Sequence, residues 1–372
     1  MYNVMRSMKK ILIAFNHPAP YKVRLFNELS KTFDLHVIFE RKSASDRNKL
    51  FYFEEKFDFK LHKIHGIKIG TEGLLSFGIR KHLKRHEYDL VIMNGYSHFP
   101  EMNAISYLKK HRIPYVLYIN GGTVKKESAL KAKIKRHFIK QANAYFSPDE
   151  QSNKYLEYYG AKKTAILNYP YSTIYENEIV KDKPNKLEIR EKLGIKFDKM
   201  FVSSGQLIKR KNYLSLVEEW QKFPENYGLF LIGDGKQRRE IERLIKERNI
   251  RNVVLTGFLP REKTFEYFRA SDAFLFPSKE DIYGHVINEA MSQGIPVISS
   301  TKVNSATKLI KDGINGYLLE SLEGPKFVDS VQNVLKLNSF KACTDTAKQN
   351  TIEKMAESHI KMINEVIGKW TY

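Results

Sequence analysis

The chain alternates short apolar runs with amphipathic segments in its first half. The apolar runs KILIAF, DLHVIFE, DLVIMNG and YVLYING have the length of strands, and YKVRLFNELSKTF and NAISYLKKHR between them have helical periodicity. Buried strands that alternate with helices are typical of a parallel sheet covered by helices on both faces. The pattern therefore predicts an α/β fold built on a doubly wound, Rossmann-like sheet.

The same rhythm starts again after Leu193. The new apolar runs are KMFVSSGQ, YGLFLIGDG, NVVLTGFL, AFLFPS and IPVISS, and helical segments such as YLSLVEEWQKF and KQRREIERLIKERN separate them. A polar, proline-containing segment links the two halves. We expect an N-terminal domain over 1–180, a C-terminal domain over 181–350, and a helical segment over 351–372 that packs back on the N-terminal domain. Ligands of such sheets bind beyond the carboxyl ends of the strands, so two domains that face each other would form a cleft.

Composition indicates a folded protein without disulfides. Of the 372 residues 42% are hydrophobic and 28% are charged, which is typical of a globular chain. The lone cysteine, Cys343, cannot form an intramolecular disulfide. The start MYNVMRSMKKILIAFNH places charge before an apolar run, but KILIAF has only the length of a strand and lacks a cleavage site. We therefore expect a cytoplasmic protein.

The net charge is strongly positive and unevenly distributed. The formal charge is +21, and residues 1–180 contain 31 Lys and Arg against 17 Asp and Glu, a net of +14. This excess favours an anionic partner: a nucleic acid, a phosphorylated substrate or an anionic membrane surface. A lysine-rich solvated surface without a dedicated partner is the alternative.

Two acidic residues surround a glycine in the segment FPSKEDIYGHVINEAMSQGIPVI. Asp281 and Glu289 lie eight positions apart, after a predicted strand and around the start of a predicted helix. Gly284 allows the backbone to approach a ligand closely, and a carboxylate in this place can accept hydrogen bonds from two sugar hydroxyls. Taken singly, Asp281 could be a charge at the helix start and Glu289 a surface residue.

A basic turn follows the first strand of the second half. The stretch SSGQLIKRKNY supplies Gly205 and then Lys209, Arg210 and Lys211. A strand, a glycine turn and fixed cations form a plausible cradle for a diphosphate. Basic turns are common, so this signal is weak by itself.

Together these motifs resemble a known family. The order of SGQLIKRKN, LIGDG, the long segment from VVLTGFLP to GIPVISS, and LIKDGINGYLL resembles the C-terminal domain of glycosyltransferase family 4. That family has the GT-B fold and a retaining mechanism, and the resemblance, which runs from about Val202 to Leu319, is closest to enzymes of bacterial capsular and surface polysaccharide synthesis. The two acids match the E-x7-E pair of the family.

The resemblance implies a role for each matching residue. Glu289 would bind the ribose of a nucleotide-sugar donor, Asp281 would contact the transferred sugar, and Lys211 would neutralise the donor diphosphate. The implied catalytic set is Asp281, Lys211 and Arg210. The implied donor-binding set is Gly205, Gln206, Lys211, Gly257, Phe258, Leu259, Asp281, Tyr283, Gly284 and Glu289.

The chain also departs from the family pattern. Asp281 is one methylene shorter than the usual Glu, and Gln206 stands where the family often has Arg. Loss of that cation reduces the positive charge on the diphosphate, and Arg210 or Lys209 is the alternative source. These changes bear on the identity of the sugar more than on the reaction.

The first half resembles the same bacterial group over FNHPAPYKVRLFNELSK and YINGGTVKKES. The acceptor-side candidates are His17, Tyr21, His98, Asn120 and Gly121. Asn120 stands where many members have a histidine, so no catalytic histidine is assigned. The remaining histidines considered in this half are expected at the surface: His62, His65, His82, His86 and His111.

No cluster of histidine, cysteine or aspartate has metal-ligand spacing, so we expect metal-independent transfer without a cofactor. The expected partners are a UDP- or GDP-linked sugar, a lipid-linked saccharide acceptor and the anionic inner face of the cytoplasmic membrane. Basic helical segments such as SALKAKIKRHFIKQ favour that peripheral location. An epimerase or phosphorylase on the same fold is the first alternative. A nucleic-acid-binding protein is the second, although no common nucleic-acid module is visible.

Overall fold

A computed structural model describes residues 8–43, 52, 56–70 and 73–370 of the chain. The chain divides into two compact units. Unit 1 comprises Met1–Tyr171 and Ile352–Tyr372, and unit 2 comprises Ser172–Thr351. Among the described residues, none of the helices combines the length and the apolar character that crossing a bilayer requires.

Unit 1 is built on a seven-stranded parallel sheet in the order β3-β2-β1-β6-β7-β8-β9. A short antiparallel hairpin, β4-β5, stands apart from it. Up to Asn168 the elements are β1 Lys10–Phe15, α1 Pro20–Ser30, β2 Asp34–Phe39, β3 Lys60–Lys63, β4 Ile67–Ile69, β5 Gly73–Leu75, α2 Gly78–Arg85, β6 Leu90–Asn94, α3 Phe99–Lys110, β7 Tyr115–Tyr118, α4 Ala129–Ile139, β8 Ala144–Ser147, α5 Glu150–Tyr158 and β9 Ile166–Asn168.

The central strands of unit 1 are apolar along their length because both faces of the sheet are covered. β1, β6 and β7 are almost entirely buried. On one face, Leu12 and Ala14 pack with Ile79 of α2 and Ala104 of α3. A strand buried on both sides has no solvated face, which explains the unbroken apolar runs in the sequence.

Unit 2 contains a six-stranded parallel sheet in the order β12-β11-β10-β13-β14-β15. One core cluster lies on each face, the first around Phe274 and Phe276 and the second around Phe201 and Trp220. The elements are α6 Lys186–Lys192, β10 Lys199–Ser204, α7 Tyr213–Trp220, β11 Tyr227–Ile232, α8 Arg238–Glu247, β12 Val253–Gly257, α9 Arg261–Ala270, β13 Ala273–Phe276, α10 Val286–Ser292, β14 Val297–Ser300, α11 Asn304–Leu309, β15 Gly316–Leu319, α12 Gly324–Val334 and α13 Phe340–Lys348.

The last helix, α14 Ile352–Trp370, belongs to unit 1, where it packs against α1. Its His359 is buried and stacks on Tyr118, with ring centroids 5.6 Å apart. Burial lowers the pKa of His359 to about 3, so the imidazole is neutral and behaves as a core side chain. Unit 1 is thus assembled from two separate parts of the chain.

Candidate functional site

Three glycines stand side by side where β10, β11 and β12 of unit 2 end. The Gly205 amide donates to Ile232 O at 2.9 Å, and the Gly233 amide donates to Gly257 O at 2.8 Å. All three have positive φ, and a Cβ on Gly233 would lie 2.0 Å from Gly205 O. Only glycine permits this backbone spacing, so the carboxyl edge of the sheet is narrow and lined by main chain.

The basic turn lies next to this edge and carries an acidic partner. Lys209–Lys211 forms one 3₁₀ turn, in which Lys209 and Arg210 are exposed while Lys211 is buried. Lys211 Nζ donates to Asp281 Oδ2, and an Arg210 guanidinium nitrogen lies 3.7 Å from the same oxygen. The structure therefore brings together the three residues that the sequence grouped as catalytic.

The environment of Asp281 keeps its carboxylate charged. Burial acts to raise its pKa, but Lys211 and Arg210 outweigh that effect and hold the pKa below its usual value. The ammonium of Lys211 also lies 4.3 Å from the centroid of the Phe276 ring, at the end of β13. An apolar wall on one side and a carboxylate on the other fix the position of the cation.

The loop after Asp281 is held by backbone contacts. Tyr283 is buried and its carbonyl accepts a hydrogen bond from the Ser305 amide at 2.8 Å. Gly284 has a φ of 92°, and a Cβ there would lie 2.7 Å from a Val303 methyl carbon. This loop leads into α10, whose first turn carries Glu289.

Glu289 is part of an ion-pair network that the sequence did not indicate. Arg261 Nη1 donates to Glu289 Oε1 at 2.8 Å, and Arg261 Nε donates to Glu178 Oε1 at 2.9 Å. The Thr173 hydroxyl donates to Glu289 Oε1 at 2.8 Å. Burial acts to lower the pKa of Arg261, and the two glutamates raise it overall. Arg261 follows directly after TGFLP, but its position in the sequence does not indicate that two glutamates contact it.

The remaining donor-side candidates lie on loops at the same edge. Gln206 follows Gly205 and is half-buried, and Phe258 and Leu259 connect β12 to α9. A Cβ on Gly257 would lie 3.3 Å from an Arg238 guanidinium nitrogen, which adds a cation near the third glycine that the sequence did not single out.

The acceptor-side candidates belong to unit 1 and follow the carboxyl ends of its strands. The Asn120 amide donates to Asn94 Oδ1 at 2.9 Å, and its carbonyl oxygen accepts from the Tyr171 hydroxyl at 2.9 Å. The Tyr171 hydroxyl also lies 3.5 Å from that of Tyr21. Asn120, Tyr21 and Tyr171 thus form one polar cluster.

The other acceptor-side candidates surround that cluster in sequence but make separate contacts. His17 Nδ1 lies 3.2 Å from the Tyr52 hydroxyl. His98 is the N-cap of α3, where its amide faces Glu101 Oε2 at 3.3 Å. Gly121 has a φ of 144° directly after Asn120.

Two buried glutamates near the ends of β2 and β6 were not identified from the sequence. Glu40 and Glu101 are 7% and 2% exposed. Burial raises the pKa of Glu40 to about 7, and burial together with the charge of Glu40 raises the pKa of Glu101. Glutamates are common in helices and turns, so their burial could not be read from the local pattern.

The expectation of surface histidines is wrong for two of the five residues. His65, His86 and His111 are exposed, but His62 and His82 are half-buried. They lie beside His36 because β2, β3 and α2 meet on one face of the unit 1 sheet. Sequence spacing could not reveal this cluster, since its members come from three separate elements.

Comparison with known proteins identifies the segment that carries the donor motifs. Residues 185–353 match the family described as "Glycosyl transferases group 1". The chain is 29% identical to the lipopolysaccharide core biosynthesis glycosyltransferase LpsE of Rhizobium meliloti, over 38% of this chain and 40% of that protein. It is 26% identical to an uncharacterized 41.2 kDa protein in the cps region of Klebsiella pneumoniae, over 80% and 81% of the two chains. The chain spans 40 to 50% of the length of the first curated relatives that it matches.

Solved structures share the fold. A crystal structure of Anabaena HepE in complex with UDP and glucose superposes with a TM-score of 0.74 at 16% identity, over 96% of this chain and 100% of that one. The two Rossmann-like units are those of the GT-B fold, as the sequence predicted. The matched family and LpsE are both described as glycosyltransferases.

Proposed function

We propose that this chain is a retaining glycosyltransferase of family 4, which transfers a sugar from a nucleoside-diphosphate sugar to a saccharide acceptor. One observation carries the proposal: Lys211 and Arg210 meet Asp281 beside a glycine-lined sheet edge, within the segment that matches the group 1 family. A buried lysine and an exposed arginine beside accessible main chain suit a diphosphate better than a neutral ligand.

In this proposal each part of the donor contacts a different set of residues. Lys211 and Arg210 contact the diphosphate, and the backbone at Gly205 and Gly284 approaches it without the obstruction of a side chain. Asp281 contacts the transferred sugar. Glu289, oriented by Arg261 through Oε1, binds the ribose hydroxyls. Gly257, Phe258 and Leu259 line the base.

The chemistry requires no enzyme nucleophile. The acceptor hydroxyl attacks the anomeric carbon on the face that the diphosphate leaves, and the C–O bond to the diphosphate breaks. Negative charge grows on the leaving diphosphate, which takes the proton of the acceptor hydroxyl. Fixed cations stabilise this charge without reorganising during the reaction, which is the most effective form of electrostatic catalysis. The donor-site residues described above supply this charge without a metal ion.

The acceptor is a growing saccharide on a lipid carrier in the synthesis of a bacterial surface polysaccharide. Two relatives motivate this class, one named for lipopolysaccharide core biosynthesis and one located in a cps region. UDP is the first nucleotide to test because it occupies the HepE structure. Attachment to the inner face of the cytoplasmic membrane would bring the lipid carrier to unit 1.

The turn 209–211 offers a matched pair of substitutions for testing the donor site. Lys211→Ala and Lys209→Ala remove the same charge from the same turn, but only Lys211 is buried against Asp281. We expect Lys211→Ala to weaken UDP or GDP binding at least about tenfold, as for a lost charge-assisted contact, and Lys209→Ala to change it less than about twofold. Isothermal titration calorimetry measures both, and circular dichroism confirms that the variants fold.

Equal small losses in the two variants would mean that the turn is only a solvated basic surface. The reaction type is tested separately. Wild-type protein is incubated with a panel of nucleotide sugars and a lipid-linked acceptor, and the products are analysed by mass spectrometry. An acceptor heavier by one sugar, with the anomeric configuration of the donor retained, supports the proposal. An isomerised donor without transfer would indicate the epimerase alternative, and a sugar phosphate would indicate a phosphorylase.

A further inference from the structure

Three histidines from separate elements of unit 1 direct ring nitrogens to one place. His36 lies on β2, His62 on the neighbouring strand β3, and His82 on α2 above them. One ligand atom from each ring lies within 4.8 Å of those of the other two. His36 Nδ1 and His62 Nε2 are 2.8 Å apart, and the two rings stack with centroids 4.9 Å apart.

A tyrosine hydroxyl lies beside two of the three rings. The Tyr88 hydroxyl contacts His82 Nε2 and lies 3.5 Å from His36 Nδ1. A tetrahedral zinc ion, with Zn–N distances of about 2.0–2.1 Å, holds its nitrogen ligands about 3.4 Å apart. The nitrogens lie within 4.8 Å of one another, so their separations would have to change by at most about 1.4 Å to reach that spacing.

A carboxylate behind His36 orients its ring. Asp34 Oδ1 lies 3.3 Å from His36 Nε2 and 2.7 Å from Lys60 Nζ. The negative charge of Asp34 favours the tautomer that carries its proton on Nε2, which leaves a lone pair on Nδ1, the nitrogen 2.8 Å from His62 Nε2. A histidine that donates one nitrogen to a carboxylate and offers the other to a metal is the usual arrangement in zinc proteins.

Two lysines lie near the cluster, and each contacts a neighbouring group. Lys60 is paired with Asp34, and Lys10 Nζ lies 5.1 Å from the centroid of the Tyr88 ring. One of the facing nitrogens of His36 and His62 must carry a proton for their contact to be favourable, whereas a metal ion would satisfy both lone pairs.

We propose that His36, His62 and His82 form a binding site for a divalent transition ion, with Zn²⁺ as the ligand of choice and the fourth position open to water. Imidazole is the ligand type that zinc, nickel and copper share, and three imidazoles do not suit magnesium or calcium. The ion would link β2, β3 and α2 through direct bonds. The site is separate from the donor residues, all of which belong to unit 2, so it supplies structure to unit 1 and does not alter the proposed metal-independent transfer.

The experiment uses the full chain without an affinity tag. After dialysis against a chelator, wild-type protein is titrated with ZnCl₂ by calorimetry and with CoCl₂ by visible absorption. We expect one ion per chain, an intense visible Co²⁺ spectrum of tetrahedral type, and a higher melting temperature that a chelator reverses. X-ray absorption of the zinc-loaded protein should show three imidazole nitrogens.

Substitutions locate the ion. His62→Gln and His82→Gln should each weaken Zn²⁺ binding at least about 100-fold, and Asp34→Asn about 10- to 100-fold through the orientation of His36. His111→Gln, an exposed histidine that follows α3, is the matched control and should bind as the wild type does. Wild-type protein that fails to bind Zn²⁺ at micromolar concentration overturns the proposal, as does binding that is unchanged in both His62→Gln and His82→Gln. Because the wild-type spectra count the imidazole ligands directly, a variant that fails to fold does not prevent a decision.

Discussion

At the scale of single residues, the candidate donor site contains an ion pair between Glu289 and Arg261. Arg261 bonds one carboxylate oxygen of Glu289, and the proposed role of Glu289 is to accept the ribose hydroxyls. We predict that Glu289→Gln weakens UDP or GDP binding at least about tenfold, because a charge-assisted hydrogen bond is lost. The same variant should discriminate less between UDP and 2′,3′-dideoxy-UDP than the wild type does. An unchanged preference for the ribose hydroxyls would contradict the role.

A double-mutant cycle separates orientation from folding at this pair. Arg261→Lys keeps the charge but loses the guanidinium fork that reaches Glu178 and Glu289 together. If Arg261 acts by orienting Glu289, Arg261→Lys weakens nucleotide binding in the wild-type background and has little further effect beside Glu289→Gln. Additive losses would show that Arg261 affects the donor site independently.

Glu40 is predicted to make folding stability depend on pH. Burial raises its pKa to about 7, so between about pH 4.3 and 7 the folded chain retains a proton that the unfolded chain releases. This contribution to stability is fully present below the unfolded pKa and is lost as the pH rises toward 7. As the pH rises through that window, the free energy of unfolding of the wild type should fall by about 1.4 kcal/mol per pH unit relative to that of Glu40→Gln. Urea denaturation measures this difference.

The control for this pH dependence is Glu157→Gln, an exposed glutamate on α5. Its difference from the wild type should be the same at pH 5, 6 and 7. Parallel stability profiles for the wild type and Glu40→Gln would show that Glu40 does not retain its proton.

At the scale of elements, the three neighbouring glycines set the shape of the unit 2 sheet edge. Gly233→Ala places a methyl group 2.0 Å from Gly205 O, and Gly313→Ala meets nothing within 4 Å although both positions have positive φ. We predict that Gly313→Ala costs about 1 kcal/mol of stability, the usual penalty for a left-handed alanine, and that Gly233→Ala costs at least twice as much. Thermal denaturation of both variants measures the difference. Equal costs would mean that β10 and β11 can separate without penalty.

The elements also show how far the sequence specifies the fold. β1, β2, β6, β7 and β10–β14 were predictable because each lies in a short run that is mainly apolar. β3 and β9 were missed because they are short and half-exposed, so neither alternation nor an apolar run marks them. The candidate donor site could be predicted from the sequence because its residues lie within short motifs. The contacts of Arg261, Glu40 and the histidine cluster could not be predicted, because they are made with residues distant in the chain.

At the scale of the whole molecule, part of the positive charge of the first half is concentrated on α4. Lys131, Lys133 and Arg136 are exposed there beside Leu130 and Ile134, which are 69% and 41% exposed. Lys135 differs, because it pairs with Glu127 at 2.7 Å. Exposed apolar residues beside cations are typical of a helix that lies on an anionic bilayer, where each basic residue contributes about 1 kcal/mol.

We predict that the protein sediments with vesicles containing anionic lipid and is released as salt is raised, since the Debye length is only about 8 Å at physiological ionic strength. Changing Lys131, Lys133, Arg136 and Lys140 to Gln should abolish this binding and leave UDP affinity intact. The matched control changes four exposed cations of unit 2 to Gln: Lys246, Arg248, Arg251 and Lys336. Equal binding to neutral vesicles, or loss of binding in the control as well, would rule out α4 as the membrane contact.

The position of α14 in unit 1 has a consequence for synthesis of the protein. Unit 2 is continuous from Ser172 to Thr351, so all of its residues are synthesised before those of α14. Unit 1 must wait with its α1 surface uncovered until residues 352–370 emerge, and His359 and Ile363 can then be buried. The residues that complete unit 1 are therefore made last, after the whole of unit 2. The half that begins the chain is the half whose core closes only when synthesis ends.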